Sequence, residues 1–298
     1  DQWSLRPEHF KMIRFPLPPP DEQAAIVKYL AHANARIDKA IAAKRRLISL
    51  LDELAAVSIS AILTDAGEGS ELVSVGQSSW LVQTGPFGSQ LHADEYIEGG
   101  SPVINPSHIG PWGIEADSTI SVTESKAETL DRHRLVEGDV ILARRGDLGR
   151  SAVVRAQQVG WLCGTGCLIV RLKGTLWMPD YFQMVFSSHQ NRQQLQLASI
   201  GSTMANLNAS HVSRMRLRRP TLERQTDAIR AVTDAQSKHS RRRGLVQREI
   251  SLLQEFRSRL VADVVTGQVD VRAIAATLPE VPEFEASARD VESRTLEG

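Results

Sequence analysis

The sequence predicts an α+β protein in which a mixed, strand-rich domain is combined with two long helices that pack as a coiled coil. Three observations carry this expectation. A segment recurs at one fixed spacing, each copy holds an apolar 3-4 pattern of unusual length, and short apolar runs broken by turn residues fill the interval between the copies.

The repeat aligns without a gap. Pro18, Gln23, Ser49, Leu50, Leu51, Glu53 and Thr64 recur as Pro220, Gln225, Ser251, Leu252, Leu253, Glu255 and Thr266, each 202 residues later. Upstream, Leu5, His9 and Arg14 recur as Leu207, His211 and Arg216. A period this long is a duplicated module made of a globular part and a helical part, not a solenoid unit. Residues 1–17 then read as the C-terminal remnant of a first globular module, and more chain is expected upstream of Asp1.

The first long helix is expected over 18–66. Pro18 to Pro20 end the preceding strand, and Asp21 or Glu22 opens the helix. Leu30, Ala33, Ile37, Ala40, Leu47, Leu51, Leu54, Val57 and Ala61 then follow the 3-4 spacing, with Lys44 as the polar interruption. The second helix is expected over 218–272, from Val232, Ala235, Val246, Leu253, Phe256 and Leu260, flanked by Ile250 and Val264. Neither contains an internal proline, and a rod of about 43 residues at 1.5 Å each is roughly 65 Å long. A narrow apolar seam of that length cannot bury itself alone, so the two helices are expected to pair. Packing on separate domain surfaces, or pairing in a homodimer, remains open at this level.

Between the rods, residues 71–217 read as a mixed domain. Strands are expected at Leu81–Thr84, Pro102–Asn105, Thr119–Val122, Asp139–Ala143, Ser151–Arg155 and Cys167–Leu172, separated by Gly-Pro, Gly-Gly and Gly-Asp turns, with one helical stretch from Pro179 to Leu197. The segment 273–298 has six acidic and two basic residues and little apolar pattern, so it reads as a disordered acidic tail.

Composition excludes several classes. With 42% hydrophobic residues the chain can build a core. No uninterrupted apolar run of membrane length and no signal peptide is evident, so a soluble, cytoplasmic protein without membrane contact is expected. Cys163 and Cys167 lack the companions of a disulfide framework or zinc site and read as small core residues. Walker, dinucleotide, zinc-protease and nucleophile-elbow signatures are absent, which points away from catalysis and cofactors. Asn105-Pro-Ser-His108 superficially resembles an amino-methyltransferase tetrapeptide, but its last two residues do not suit stacking on a flipped base. Asp139 and Asp147 could in principle hold a metal, yet both adjoin glycines, where Asp makes turns, so no metal site is assigned.

Charge is informative through its distribution. Lys plus Arg and Asp plus Glu both number 35, which argues against a generic polyanion binder. From His211 to Ile250 there are eleven basic against four acidic residues, whereas Glu71 to Ser210 holds ten against thirteen. Within the latter, Arg132, Arg134, Arg144, Arg145, Arg150 and Arg155 bunch into a stretch able to face phosphates.

Several segments together resemble the specificity subunits of type I restriction-modification enzymes. These are Thr84-Gly-Pro-Phe-Gly-Ser-Gln-Leu-His92 with Tyr96, Gly100-Ser-Pro-Val-Ile-Asn-Pro106, Gly138-Asp-Val-Ile-Leu-Ala-Arg-Arg-Gly-Asp-Leu-Gly-Arg150, and Gly201-Ser-Thr-Met-Ala-Asn-Leu-Asn208. Pro18-Pro-Pro-Asp-Glu-Gln23 and Pro220-Thr-Leu-Glu-Arg-Gln225 are similar to the family's entries into its spacer helices. The resemblance spans Leu5 to Arg272 in order, with one departure, Arg224 in place of Glu22. It implies a target recognition domain and two spacer helices forming an antiparallel coiled coil that acts as a ruler. It also implies sequence-specific reading of half of a bipartite site on double-stranded DNA, no catalysis or cofactor of its own, docking of methyltransferase subunits on the helices, and a separate motor-nuclease subunit. A half-size form would self-associate. A non-catalytic coiled-coil interaction module is the competing reading.

For DNA contact the expected residues are Gly85, Phe87, Gly88 and Ser89, where glycines let the backbone approach phosphate, and Arg144, Arg145 and Arg150, whose guanidinium groups bind phosphate or read guanine. Ser202, Thr203 and Asn206 follow as groups able to position a phosphate or touch a base edge. Ile41, Lys44, Arg45 and Arg242 are the expected partner-binding positions on the helices.

Overall fold

The computed structural model describes residues 17–110, 113–198 and 207–280. In chain order the elements are helix α1 (Pro20–Gly67), β1 (Glu71–Ser74), β2 (Ser79–Thr84), β3 (Ser101–Ile104), β4 (Ile109–Gly110), β5 (Gly113–Ile114), β6 (Ser121–Val122), α2 (Glu124–Thr129), β7 (Val140–Ala143), β8 (Ser151–Val153), β9 (Leu162–Cys163), β10 (Cys167–Leu172), α3 (Pro179–Phe186), α4 (His189–Ala198), α5 (Ala209–Arg214), β11 (Arg216–Arg219), α6 (Leu222–Val265) and α7 (Arg272–Thr277). The chain divides into two compact units, one built from residues up to Asp52 and from Ser240 onward, the other from Glu53 to His239.

In the first unit α1 and α6 pair antiparallel. The partners show the direction. Asp38 pairs with Arg257, Lys44 with Glu249 at 2.5 Å, and Asp52 with Arg243 at 3.6 Å, so rising numbers on one helix meet falling numbers on the other. Beneath these pairs Ile37, Ile41 and Ile250 are buried together, with Ile48 and Leu253 against them. Exposed ion pairs contribute about 0–1 kcal/mol each, so the apolar seam stabilises the pairing and the charges fix its register.

α6 ends at Val265 and not at 272. The backbone N–H groups of Gln268 and Val269 turn back to the Asp263 carbonyl, and Gly267 adopts a φ of +75°, a left-handed conformation glycine reaches without Cβ clash. The segment beyond then returns to α1. Lys28 pairs with Glu280 at 2.6 Å, the His32 ring meets the Pro279 carbonyl at 2.8 Å, and Val271 and Ala275 are buried. This corrects the expectation of a disordered tail from 273. Helix α7 occupies its first residues, and 281–298 lie outside the described residues.

The second unit is organised by an antiparallel sheet in the order β2-β10-β7-β8. Both of its faces are covered, which explains why β7 reads as continuous Val-Ile-Leu-Ala without polar alternation. Successive side chains point to opposite faces. Val140, Leu142, Leu168 and Val170 therefore enter one core, with Trp177, Tyr181, Phe182 and Phe186 and with Leu63, Ala66, Ala228 and Val232 from the long helices. Ile141, Ala143, Cys167 and Ile169 enter another, with Ile104, Ile109, Leu135 and Val154. A three-stranded sheet, β6-β3-β9, supports a smaller core of Leu91, Val103, Val122, Ala127, Leu130 and Leu162. The expected helix over Pro179–Leu197 is broken at Ser187 into α3 and α4, and Arg218 and Arg219, the first residues of the helix expected over 218–272, belong to strand β11, so that α6 begins only at Leu222.

β1 and β11 pair antiparallel from Glu71 opposite Arg219 to Ser74 opposite Arg216, clamping the entry and exit of the domain together. The junction with α6 is secured by Gln225. Its fully buried amide donates to the carbonyls of Pro220 (2.9 Å) and Leu176 (2.9 Å) and accepts from the Met178 N–H (2.7 Å). Its repeat counterpart Gln23 makes the same bond to Pro18 (2.7 Å). The glutamine-to-proline bond shared by both helix starts is the structural expression of the repeat, with proline at the first helical position of α1.

Candidate nucleic-acid interface

The expected contact loop leaves β2 at Thr84. The Gly85 N–H donates to the Cys167 carbonyl at 3.0 Å. A Cβ added to Gly85 would lie 1.9 Å from the Gly164 carbonyl oxygen, so only glycine lets the loop press this closely on its neighbour. Gly85 and Pro86 are buried, and Phe87, Gly88 and Ser89 are exposed. Beyond them Leu91 is buried again. The tip is thus presented from two fixed ends, and Gly88 turns it through a φ of +60°.

The loop 144–150 lies beside it. Arg144 uses its side chain internally, donating from Nε to the Leu207 carbonyl (2.9 Å) and from a terminal nitrogen to the Thr165 carbonyl (3.3 Å). Partial burial, followed by the positive charge of Arg145, lowers its pKa from the ordinary arginine value. Arg150 donates to the Pro106 carbonyl at 3.2 Å and approaches Asp147 at 3.7 Å. Arg145 is exposed and has no hydrogen-bond or ion-pair partner among the described residues. Of the three arginines chosen from sequence, it alone offers an unengaged guanidinium group, and the other two brace the loops around it.

Thr84, Phe87, Arg144, Arg145, Asn208, Ala209 and Ser210 line one shallow depression of about 470 Å³. The structure therefore brings the Gly85–Ser89 loop together with Arg144 and Arg145. It adds Asn208 and Ser210, which the sequence did not single out; Asn208 caps α5 by accepting from the His211 N–H at 2.9 Å. Ser202, Thr203 and Asn206 lie outside the described residues. A second depression of about 440 Å³, lined by Ser89, Gln90, Lys126, Thr129, Leu130 and Arg132, meets the other half of the loop.

Behind this surface the buried carboxylate and the loop aspartate are both paired. Asp139, whose carboxylate is fully buried, is gripped by Arg171 through two bonds of 2.8 and 2.9 Å and accepts from the Val136 N–H at 2.9 Å. Asp147 pairs with Arg192 at 2.9 Å. Among the described residues no group of three or more His, Cys, Asp and Glu side chains could hold a metal ion. Cys163 and Cys167 are buried free thiols whose pKa values burial raises. His133 is pushed down to about 4, first by burial and then by the charge of Arg132, whose Nε lies 3.1 Å from the ring Nε2.

On the helices the expected partner positions separate. Ile41 is corrected: it is 5% exposed inside the seam and is unavailable to a partner. Lys44 is held by Glu249, whereas Arg45 and Arg242 are exposed. Leu47, Leu54 and Val57, assigned by spacing to the seam, are exposed instead, as are Leu50, Leu245, Leu252 and Phe256. A fixed 3-4 pattern drifts around a 3.6-residue helix by about 20° per heptad, so one repeat cannot face one neighbour along 48 residues. The eighteen residues 47–64 carry only Asp52 and Glu53 as charges, with a mean hydropathy of 1.8. By length and composition alone this stretch of α1 is long and apolar enough to cross a membrane, although Asp52 and Glu53 interrupt it. A groove lined by Ala56, Val57, Ser60, Ala61 and Thr64 together with Glu53, Asp65, Glu68 and His189 opens on this face.

No protein-family model matches the chain, and no curated protein matches it by sequence. Solved structures do. A chain from a structure on complex assembly and conformational transition of the type I R-M system is similar at a TM-score of 0.69 and 14% identity, over 86% of this chain and 62% of that one. The type I restriction-modification S subunit from M. genitalium gives a TM-score of 0.43 at 17% identity over 82% of this chain and 61% of that one. The HsdS subunit from Thermoanaerobacter tengcongensis gives 0.49 at 15% identity, over 86% and 60% respectively. The first likeness establishes a fold shared with a chain of a type I system. The present chain spans about three fifths of the length of each of these structures.

Proposed function

We propose that the chain is the DNA-recognition subunit of a type I restriction-modification complex, or the corresponding part of one, and contributes position and sequence choice without catalysis. The observation that carries this reading is the shared fold over 86% of the chain. It is supported by the placement of the Gly85–Ser89 loop and Arg145 around one open depression. In this reading guanidinium groups and exposed backbone N–H groups engage the duplex, and the buried Asp139–Arg171 pair and Gln225 keep the loops in place.

The same reading assigns the uncovered apolar face of α1 to partner proteins in the cytoplasm, the methyltransferase subunits first and the motor-nuclease subunit through them. Asp52 in the middle of the apolar stretch pairs with Arg243, an arrangement suited to a protein interface and costly in lipid. Co-expression with the methyltransferase subunits of a type I system, followed by footprinting on duplex DNA, tests both parts. A stable complex giving a split, sequence-dependent footprint is expected. A chain that binds neither subunits nor DNA would end the proposal.

A further inference from the structure

Phe87 is 59% exposed at the tip of a loop whose ends are buried, Gly85 and Pro86 before it and Leu91 beyond Gly88 and Ser89. A phenyl ring in water forgoes its burial energy, and here the loop cannot turn it inward. Gly85 has no room to shift against Gly164, Pro86 fixes its own φ, and Leu91 anchors the far end. The ring is therefore held out by construction.

What flanks the ring indicates its partner. The depression beside Thr84 and Phe87 carries the unengaged Arg145, and the depression beside Ser89 and Gln90 carries the exposed Arg132. Lys126, in the second depression, is occupied by Glu95 at 2.5 Å. Arg132 Nε is directed to the neutral His133 ring, which leaves its terminal nitrogens without a partner among the described residues. No acidic side chain lines either depression. An exposed ring whose loop meets one open cation in the depression at Phe87 and another in the depression at Ser89 and Gln90 complements a DNA groove, whose floor is stacked bases and whose two rims are phosphate strands.

We propose that Phe87 is a wedge that enters a DNA groove and partly unstacks one base step, while Arg145 and Arg132 neutralise phosphates on the two flanking strands. This rests on the DNA-recognition reading and assigns one role within it. The cost of unstacking is offset by the closer fit of the bent duplex to the surrounding loops.

The test uses the full chain assembled with its methyltransferase subunits. Sites are first selected from random-sequence duplexes, and 2-aminopurine is then placed at each position of the selected site. The wild-type complex should raise fluorescence at one base step. Phe87→Ala should abolish that rise and weaken binding roughly tenfold, and Phe87→Leu should retain most of both. Arg145→Ala and Arg132→Ala should each lower the slope of log affinity against log salt by about one without removing the fluorescence rise. A Phe87→Ala complex with wild-type affinity and an intact rise overturns the proposal, as does wild-type binding with no rise at any step. If Phe87→Ala instead loses its methyltransferase subunits, the ring is a protein contact and the wedge is wrong. If the wild-type complex binds no duplex, the recognition reading itself falls.

Discussion

The Arg224 guanidinium group donates to the Asp65 carbonyl at 2.6 Å and to the Glu68 carbonyl at 3.0 Å, so a cation from the first turn of α6 caps the C-terminal end of α1. A cation at its own helix N-terminus is unfavourable, but at the C-terminus of another helix it meets unsatisfied carbonyls and the negative end of the dipole. Its repeat counterpart Glu22 contributes negative charge near Arg272, beyond the end of α6. The substitution between the two copies is thus matched by a reversal of charge in what each meets. Arg224→Ala should lower unfolding free energy by about 1–2 kcal/mol, and Arg224→Glu by more. Urea titration followed by circular dichroism measures both, and equal stability of all three proteins would contradict the cap.

Gln225 and Gln23 offer a comparison within one molecule. Gln225→Ala strands the Met178 N–H and two carbonyls in a buried site and should cost about 2–3 kcal/mol. Gln23→Ala removes one exposed bond and should cost about 0.5 kcal/mol or less. Melting curves of the two variants should differ by several degrees in this order.

Asp139→Asn leaves the Arg171 guanidinium group without its counter-charge and should destabilise by about 3–5 kcal/mol. The domain core would loosen around β7 and β10, which hydrogen exchange of residues 140–143 and 167–172 reads directly.

His133 predicts a pH dependence. Its folded pKa, about 4, lies below the ordinary value of 6.5, so the unfolded chain binds the proton more readily. The associated stability is fully present above about pH 6.5 and is lost as pH falls through about 4. His133→Gln should flatten this part of the stability profile, measured by denaturant titration between pH 4 and 7. An unchanged slope would remove the histidine as its source.

On the outer face of α1, Leu54→Glu or Val57→Glu should leave the melting temperature within a few degrees of wild type, because both side chains are already in water. Association with methyltransferase subunits should weaken at least tenfold, since a buried Leu or Val side chain contributes about 1.5–3 kcal/mol and a buried carboxylate opposes docking. Size-exclusion chromatography of the co-expressed subunits distinguishes the outcomes. At the proposed DNA surface, Arg145→Ala should weaken duplex binding and leave the melting temperature near wild type, because its guanidinium group has no partner among the described residues. Arg144→Ala should lower thermal stability as well, because Arg144 braces Leu207 and Thr165.

What the sequence determined by itself follows from local chemistry and from repetition. Two prolines and two glutamines 202 residues apart marked both helix starts, and the 3-4 pattern produced two helices of 48 and 44 residues. The strands at 140–143 and 167–172 were legible because runs of apolar and β-branched residues bounded by glycines have few other solutions. The tertiary structure decided which way the side chains face and which are already engaged. Ile37 and Leu54 share one periodicity, yet the partner helix covers the first and leaves the second in water, and spacing carries no record of a neighbour 200 residues distant. Arg144 and Arg145 are adjacent and chemically identical, but only the fold, by returning Leu207 and Thr165 to the end of β7, engages one guanidinium group and leaves the other unpaired. Burial and pairing are properties of what surrounds a residue, and for both of these pairs the surroundings come from distant parts of the chain.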